Sequence, residues 1–202
     1  VLIPHLIKTD NETVLYLDAD TLVVDGIRRF LDSAHDGYAV AAAPDFKNLI
    51  ATTETGLTKR YINAGVLKIH LETWKSEGLT DKVLEFVRTE RPILDDQTAL
   101  NSILHSEDLV QLISPEYNLS RSWALGEGAL TTGPGLDVQN IRPRIIHFYQ
   151  FGKPWNTTKQ QLFDELWNEY HSDIPVDGLN SKTKFMRLCR NIADNALNLI
   201  SR

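Results

Sequence analysis

The stretch Val14-Leu15-Tyr16-Leu17-Asp18-Ala19-Asp20-Thr21-Leu22-Val23-Val24 constrains the chain more than any other. Apolar strand formers run directly into two aspartates one residue apart. An unbroken apolar run of this kind predicts a strand buried on both faces, as in a parallel sheet. Side chains alternate along a strand, so Asp18 and Asp20 are expected on one side near its carboxyl end. Open α/β sheets hold their ligands at that edge. Two carboxylates converging there need a compensating cation, because burying bare charge is costly. A divalent metal with oxygen ligands, Mg²⁺ or Mn²⁺, meets that need. The bland alternative is a pair of acids solvated in a turn.

Two enzyme classes use such a segment. Nucleotide-sugar glycosyltransferases hold a metal against a diphosphate with Asp-x-Asp. Haloacid-dehalogenase-like phosphatases take a nucleophile and a general acid from Asp-x-Asp-x-Thr, which Asp18-Ala19-Asp20-Thr21 also fits.

Composition narrows the field. With 202 residues, 42% hydrophobic and 24% charged, the chain has the makeup of an ordinary globular domain. A net charge of -6 leaves no basic footprint, which excludes nucleic acid as the expected partner. One cysteine, Cys189, permits no internal disulfide and suits a reducing, cytoplasmic compartment. No apolar run approaches a membrane span, and no signal peptide is visible. The Asn-x-Ser/Thr triplets at Asn11, Asn118 and Asn156 are read as chance. Because the chain starts at Val1 and reaches its central strand soon after, it is expected to be a fragment.

Further along, Leu2–Lys8 is a short apolar lead-in and Asp10-Asn11-Glu12 a turn. Ile27–Leu31 predicts a helical turn. Tyr38–Ala43 predicts a second buried strand, which brings Asp45 to the same kind of strand end as the two aspartates. Residues 46–60 are polar and read as a loop or short helix over the site. Tyr61–Ile69 is a third strand-like run, in which Gly65 implies a close approach. Thr80 is placed to cap a helix running through Glu90, with Val83, Leu84, Phe86 and Val87 inward. Asp95-Asp96-Gln97 opens another helix, where acids are commonly mere caps. Leu109–Ile113 and Arg144–Phe148 are short strands, the latter carrying His147. Residues 114–140 hold Gly126, Gly128, Gly133 and Gly135 with little periodicity and predict a long loop. Lys159–His171 and Lys182–Ser201 read as helices.

Tyr16-Leu17-Asp18-Ala19-Asp20, Asn63-Ala64-Gly65-Val66, Asp96-Gln97 with Asn101, and His147 followed by Lys153-Pro154-Trp155 form an ordered set. Together they resemble glycosyltransferase family 8, the retaining α-glucosyl- and α-galactosyltransferases. The resemblance runs from about Val1 to Trp155, and the tail looks like the bacterial, lipopolysaccharide-type members. It implies an α/β, GT-A-type Rossmann-like nucleotide-sugar transferase domain over 1–157, lacking its N-terminal part, with a C-terminal helical extension over 158–202. It also implies an Mn²⁺ or Mg²⁺ ion on Asp18, Asp20 and His147, a UDP-sugar donor, and a saccharide or glycolipid acceptor. Asp18, Ala19, Asn63, Ala64, Gly65, Gly152 and Lys153 would meet the donor, with Lys153 on its diphosphate. Asp96 and Gln97 would sit at the reacting centre and Asp45 near the acceptor. Where the family often has a glycine midway between histidine and lysine, this chain has Gln150, with Gly152 nearer the lysine. The family's uracil-binding strand and the arginine that precedes the Val1 position are not in the sequence, so donor binding is expected to be incomplete.

The resemblance fits the chemistry. Breaking the anomeric C–O bond releases a nucleoside diphosphate with growing negative charge, which a metal and Lys153 would stabilise. Gln97 is a poor nucleophile, which favours same-face displacement over a double displacement. The phosphatase reading lacks its second acidic pair after a buried strand and leaves Lys153-Pro154-Trp155 unexplained; an inactive nucleotide-sugar-binding fragment is the non-enzyme alternative. In the tail, Lys182, Lys184, Arg187, Arg190 and Arg202 face one acid, Asp194, for a net +4, with Phe185, Leu188, Ile192, Ala196 and Leu199 at helical spacing. A basic amphipathic helix of this kind suits an anionic membrane surface, placing the protein peripherally on the inner membrane.

Overall fold

A computed structural model describes residues 2–45, 56, 60–90, 95–120, 141–149, 153–155 and 162–172. The expectations for most of 46–60, for the glycines within 126–135, for Gly152 and for 182–202 lie outside them.

The strands fall into two sheets. The first, four-stranded, has the order β1 (Thr13–Leu17), β4 (Ile62–His70), β3 (Val40–Pro44), β5 (Val110–Leu112). The second, three-stranded, has the order β2 (Thr21–Val23), β7 (Ile145–His147), β6 (Leu119–Ser120). The helices are α1 (Ile3–Leu6), α2 (Arg28–Leu31), α3 (Leu71–Ser76), α4 (Leu79–Glu90), α5 (Asp95–Ser106) and α6 (Asp164–Ser172).

The opening stretch departs from its expectation in three ways. It is two strands, not one: β1 ends at Leu17, and Thr21 opens β2 in the other sheet. The break is locked locally, since both the Thr21 N–H and its hydroxyl donate to the Asp18 carbonyl, at 3.1 and 2.8 Å. β1 is half-buried along its length, because it forms the edge of its sheet. The strand buried on both faces is β4, and it runs antiparallel to both neighbours, so the sheet is mixed rather than parallel. An apolar run reports burial but carries no direction.

That antiparallel strand builds the site's edge. With β4 reversed between them, β1 and β3 run the same way and both end beside the first residues of β4. Asp18 N–H donates to Gly65 O at 2.8 Å and Asp45 N–H to Tyr61 O at 2.6 Å, on opposite sides of β4.

Two smaller expectations are corrected. Thr80 is inside α4, and its hydroxyl accepts the buried Trp74 indole N–H at 2.9 Å instead of capping. Residues 114–120 are not loop: a 3₁₀ turn over Pro115–Tyr117 leads into β6, which pairs parallel with β7, Ser120 opposite His147.

The main core packs Leu67, Ile69, Trp74, Leu79, Val83, Leu100 and Leu104 between the first sheet and α3–α5. A second cluster joins Val23, Ile27, Phe30, Val66, Tyr117 and Ile145, tying the two sheets together. Trp167 of α6 closes a third with Leu22, Ile146 and Phe148.

At the far end of β4, His70 caps α3. Its Nδ1 accepts the Thr73 N–H at 3.3 Å, while its ring stacks on His35 at 3.7 Å between centroids. Burial, and then the neighbouring His35, hold the His70 pKa below the ordinary histidine value; Lys68 acts the same way, and Glu72 and Glu12 oppose. A pKa lowered in the folded state means that the unfolded chain binds the proton first. Stability is therefore expected to fall as pH drops below about 6.5, the unfolded value. Thermal melts between pH 8 and 5 should show this decline, and His70→Asn, which keeps a capping acceptor without the titration, should flatten it.

Candidate active site

The two strand ends and β7 bring three ligand-type side chains together. His147 Nε2 lies 3.1 Å from Asp20 Oδ1 and 3.5 Å from Asp18 Oδ2. One ligand atom from each of the three residues falls within 4.8 Å of the others. Asp18 and Asp20 flank a turn, yet they converge as the sequence implied, because His147 is opposite Thr21 in the β2–β7 register. Phe148 N–H donates to Asp20 O at 2.8 Å and closes that register.

The residues fit a divalent cation. Ligands about 2.1 Å from an octahedral ion stand about 3 Å apart, the scale of these separations. Gly65 lies directly beneath the group: a Cβ there would fall 2.0 Å from His147 Cε1, 2.7 Å from its Nδ1 and 2.8 Å from Asp18 Oδ2. Close approach is the reason for this glycine, as its position in a strand implied.

Supporting bonds orient these side chains. The Tyr16 hydroxyl donates to Asp18 Oδ1 at 2.6 Å. Burial, then this bond and the Asp18 charge, push the Tyr16 phenol above its usual pKa, so it stays a donor. Lys153 Nζ donates to Asp20 Oδ2 and to the Phe148 carbonyl. Burial alone would raise the Asp20 pKa, but its contacts with His147 and Lys153 prevail and hold it well below the usual carboxylate range. Trp155 lies over the Lys153 ammonium at 5.8 Å and against Trp167 at 4.9 Å.

A cavity of about 360 Å³ opens beside this cluster, lined by Tyr16, Asp18, Asn63, Ala64, Gly65 and His147 together with Asp45, Asp96, Gln97 and Tyr149. Its polar wall is a hydrogen-bonded set. Asn63 Nδ2 donates to Asp45 Oδ2 at 3.1 Å, Gln97 Nε2 donates to the same oxygen at 3.3 Å, and Gln97 Oε1 accepts the Ala64 N–H at 3.0 Å. Buried Asn101 holds α5 on β4 by accepting from Ile62 N–H at 2.7 Å and donating to Ile62 O at 2.9 Å. Gln97 thus faces the cavity rather than serving as a helix cap, and Asp96, exposed on the first turn of α5, lines the same space. Ile3, Pro4 and Trp74 form an apolar wall.

Of the residues named from sequence, Asp18, Asp20 and His147 come together as one group, and Asp45, Asn63, Ala64, Gly65, Asp96 and Gln97 line the adjoining cavity. Ala19 is exposed in the turn, and Lys153 meets the cluster through Asp20. Gly152 lies outside the described residues. Sequence reasoning missed Asn118, which bonds both Asn63 and His147, and Tyr149, whose ring packs edge-on to His147 at 4.8 Å. Burial, then the nearby Asp45 charge, keep the Tyr149 phenol protonated, against an opposing bond to Ser120. Asn118 was visible only as a chance triplet, and nothing local marks either residue. Thr21 is buried, and its hydroxyl is turned onto the Asp18 carbonyl and away from the cavity's lining.

Comparisons with known proteins agree with this geometry. Residues 1–159 match the family model described as glycosyl transferase family 8. The chain is 33% identical over 178 residues to general stress protein A of Bacillus subtilis, covering 82% of this chain and 61% of that protein. It is 25% identical to the lipopolysaccharide 1,3-galactosyltransferase of Salmonella typhimurium, covering 83% of this chain and 51% of that one. Among solved structures, the galactosyltransferase LgtC in complex with donor and acceptor sugar analogs superposes with a TM-score of 0.73 at 21% identity, covering 91% of this chain and 68% of that chain. The chain therefore spans only part of the curated relatives it matches. The fold is the α/β, GT-A-type Rossmann-like fold of those neighbours. With the matched span covering most of the sequence and the motif residues gathered at one sheet edge, the chain belongs to glycosyltransferase family 8.

Proposed function

We propose that this chain carries the catalytic domain of a metal-dependent, retaining hexosyltransferase, moving glucose or galactose from a UDP-sugar to a saccharide or lipopolysaccharide-type acceptor. The observation that carries this reading is the adjacency of the Asp18–Asp20–His147 cluster to a cavity rich in hydroxyl-binding groups. The catalytic unit is assigned to 1–157 and the helical extension to 158–202.

Asp18, Asp20 and His147 would hold Mn²⁺ or Mg²⁺, which when bound neutralises charge on the departing diphosphate by several kcal/mol. Lys153 adds a positive charge to the same end once a phosphate competes for it with Asp20. At the other end Asn63, Asp45 and Gln97 are held by mutual hydrogen bonds and orient sugar hydroxyls with little reorganisation. The carboxamide of Gln97, with Asp96 beside it at the reacting centre, supports positive charge developing at the anomeric carbon, which suits same-face displacement, while Asp45 faces the incoming acceptor. The test is a donor screen of full-length protein with several UDP-sugars, a saccharide acceptor and Mn²⁺. UDP release with one hexose donor supports the reading, and inertness to every donor overturns it.

Lys153→Ala is expected to weaken UDP and UDP-sugar binding alike, about tenfold or more, with little change in thermal midpoint. Calorimetry with UDP checks this, and an unaltered affinity counts against a diphosphate role.

No helix among the described residues is long and apolar enough to cross a membrane. The basic amphipathic stretch 182–202 supports reversible attachment to an anionic inner-leaflet surface, each base contributing about 1 kcal/mol. Co-sedimentation with anionic vesicles should fall with salt and vanish on deleting 182–202. Equal binding to neutral vesicles would contradict it.

A further inference from the structure

We propose that Asn118 is a positioning residue: it fixes the tautomer of His147 so that the bare Nε2 faces Asp18 and Asp20. The inference rests on His147 being a metal ligand.

The polarity follows from one donor whose identity is certain. The backbone N–H of Gly65 points at Asn63 Oδ1 at 3.0 Å, which makes that atom an oxygen. The other arm of Asn63 is then Nδ2, and it meets a carboxylate oxygen of Asp45 at 3.1 Å, as a donor should. Asn118 approaches the same Asn63 Oδ1 at 2.9 Å, so it must do so with Nδ2. That turns Asn118 Oδ1 toward His147 Nδ1, 2.9 Å away, and an amide oxygen there requires Nδ1 to carry a hydrogen. In the neutral ring Nε2 is left with its lone pair, facing carboxylate oxygens at 3.1 and 3.5 Å. Three acceptors with no hydrogen among them are arranged for a cation.

Asn118 is placed firmly enough to do this. It follows the 3₁₀ turn, with its N–H on Pro115 O at 3.0 Å, and precedes β6, where Ser120 is opposite His147. Tyr117 before it packs on Phe30 and beneath Arg144. The side chain is buried, so water does not replace it readily. Without its oxygen, His147 is free to hold its proton on Nε2 and donate it to Asp20, which removes the lone pair from the cluster. Nothing in the Asp18-Ala19-Asp20 motif supplies this control.

Calorimetry with Mn²⁺ on the full chain decides the point, with folding followed by circular dichroism. Asn118→Leu should weaken Mn²⁺ affinity about 10- to 100-fold. Asn118→Asp keeps an acceptor for Nδ1–H but sets an oxygen against Asn63 Oδ1, so it should lose less Mn²⁺ affinity than Asn118→Leu. In a His147→Ala background Asn118→Leu should cause no further loss, because its effect passes through the imidazole. If Asn118→Leu fails to fold, Asn118→Ser, too short to reach Nδ1, takes its place with the same expectation. Unchanged affinity in the Leu or Ser variant, or an equal loss in the His147→Ala background, overturns the inference. Unchanged affinity in His147→Ala alone overturns the metal-ligand reading instead, so the two failures are separable.

Discussion

Asp18→Asn, Asp20→Asn and His147→Ala are each expected to lower hexosyl transfer by at least about 10²- to 10³-fold and to abolish stabilisation by Mn²⁺. The cluster offers one ligand atom per residue within 4.8 Å, so no neighbour among the described residues stands ready to replace a missing one. Folding gives the discriminating readout. Without metal, the Asp18 and Asp20 carboxylates share one cluster, Asp20 with Lys153 as its partner and Asp18 with no cation of its own among the described residues, so neutralising Asp18 costs no ion pair with a lysine. The metal-free Asp18→Asn variant should therefore melt no lower than the parent, whereas Asp20→Asn also gives up the pair with Lys153 and should melt lower. The parent's midpoint should rise on adding Mn²⁺, as binding to the folded state alone requires, and theirs should not. Asp20 also accepts from Lys153, so Asp20→Asn loosens Lys153 as well and should be the most damaging of the three. A variant that keeps the Mn²⁺-induced shift is not missing a ligand.

Gly65→Ala is expected to be almost as harmful without removing any functional group. Its Cβ would fall 2.0 Å from His147 Cε1, a distance no packing tolerates. The imidazole cannot yield cheaply, since its side chain is 1% exposed and Asn118 holds Nδ1. Overpacking of this kind destabilises by about 1–3 kcal/mol. Here the displaced ring is one of the proposed metal ligands, so Mn²⁺ affinity and thermal midpoint should fall together. Gly26→Ala is the control, because a Cβ at that position meets nothing within 4 Å. Full Mn²⁺ affinity in Gly65→Ala would mean that the ring has room the packing does not show.

The parts of this architecture legible in the sequence are those written into contiguous residues. Asp18-Ala19-Asp20 after an apolar run, Gly65 within a strand, and Asp96-Gln97 at a helix start all carry local signals, and each falls beside the cavity. The resemblance of their order to a known family supplied what spacing alone did not, namely which acids belong with His147. Strand direction was not legible. β4 reads as a buried strand whichever way it runs, and the two-sided burial expected of β1 belongs to β4 because β1 occupies the sheet edge. The split after Leu17 depends on Thr21 turning its hydroxyl onto the Asp18 carbonyl, which an apolar pattern does not encode. Asn118 and Tyr149 escaped notice for a further reason. Their roles come from contacts across the fold, between Asn118 and Asn63 and between Tyr149 and His147, and neither residue type is unusual where it stands.

The central claim, one divalent ion held jointly by Asp18, Asp20 and His147 beside the sugar cavity, is tested most directly by crystals of the full-length protein grown with Mn²⁺ and UDP. Diffraction recorded at the manganese edge should place a single anomalous peak within coordination distance of all three residues, with Lys153 turned from Asp20 toward the diphosphate. A peak elsewhere, or UDP bound with no manganese between these residues, would contradict it.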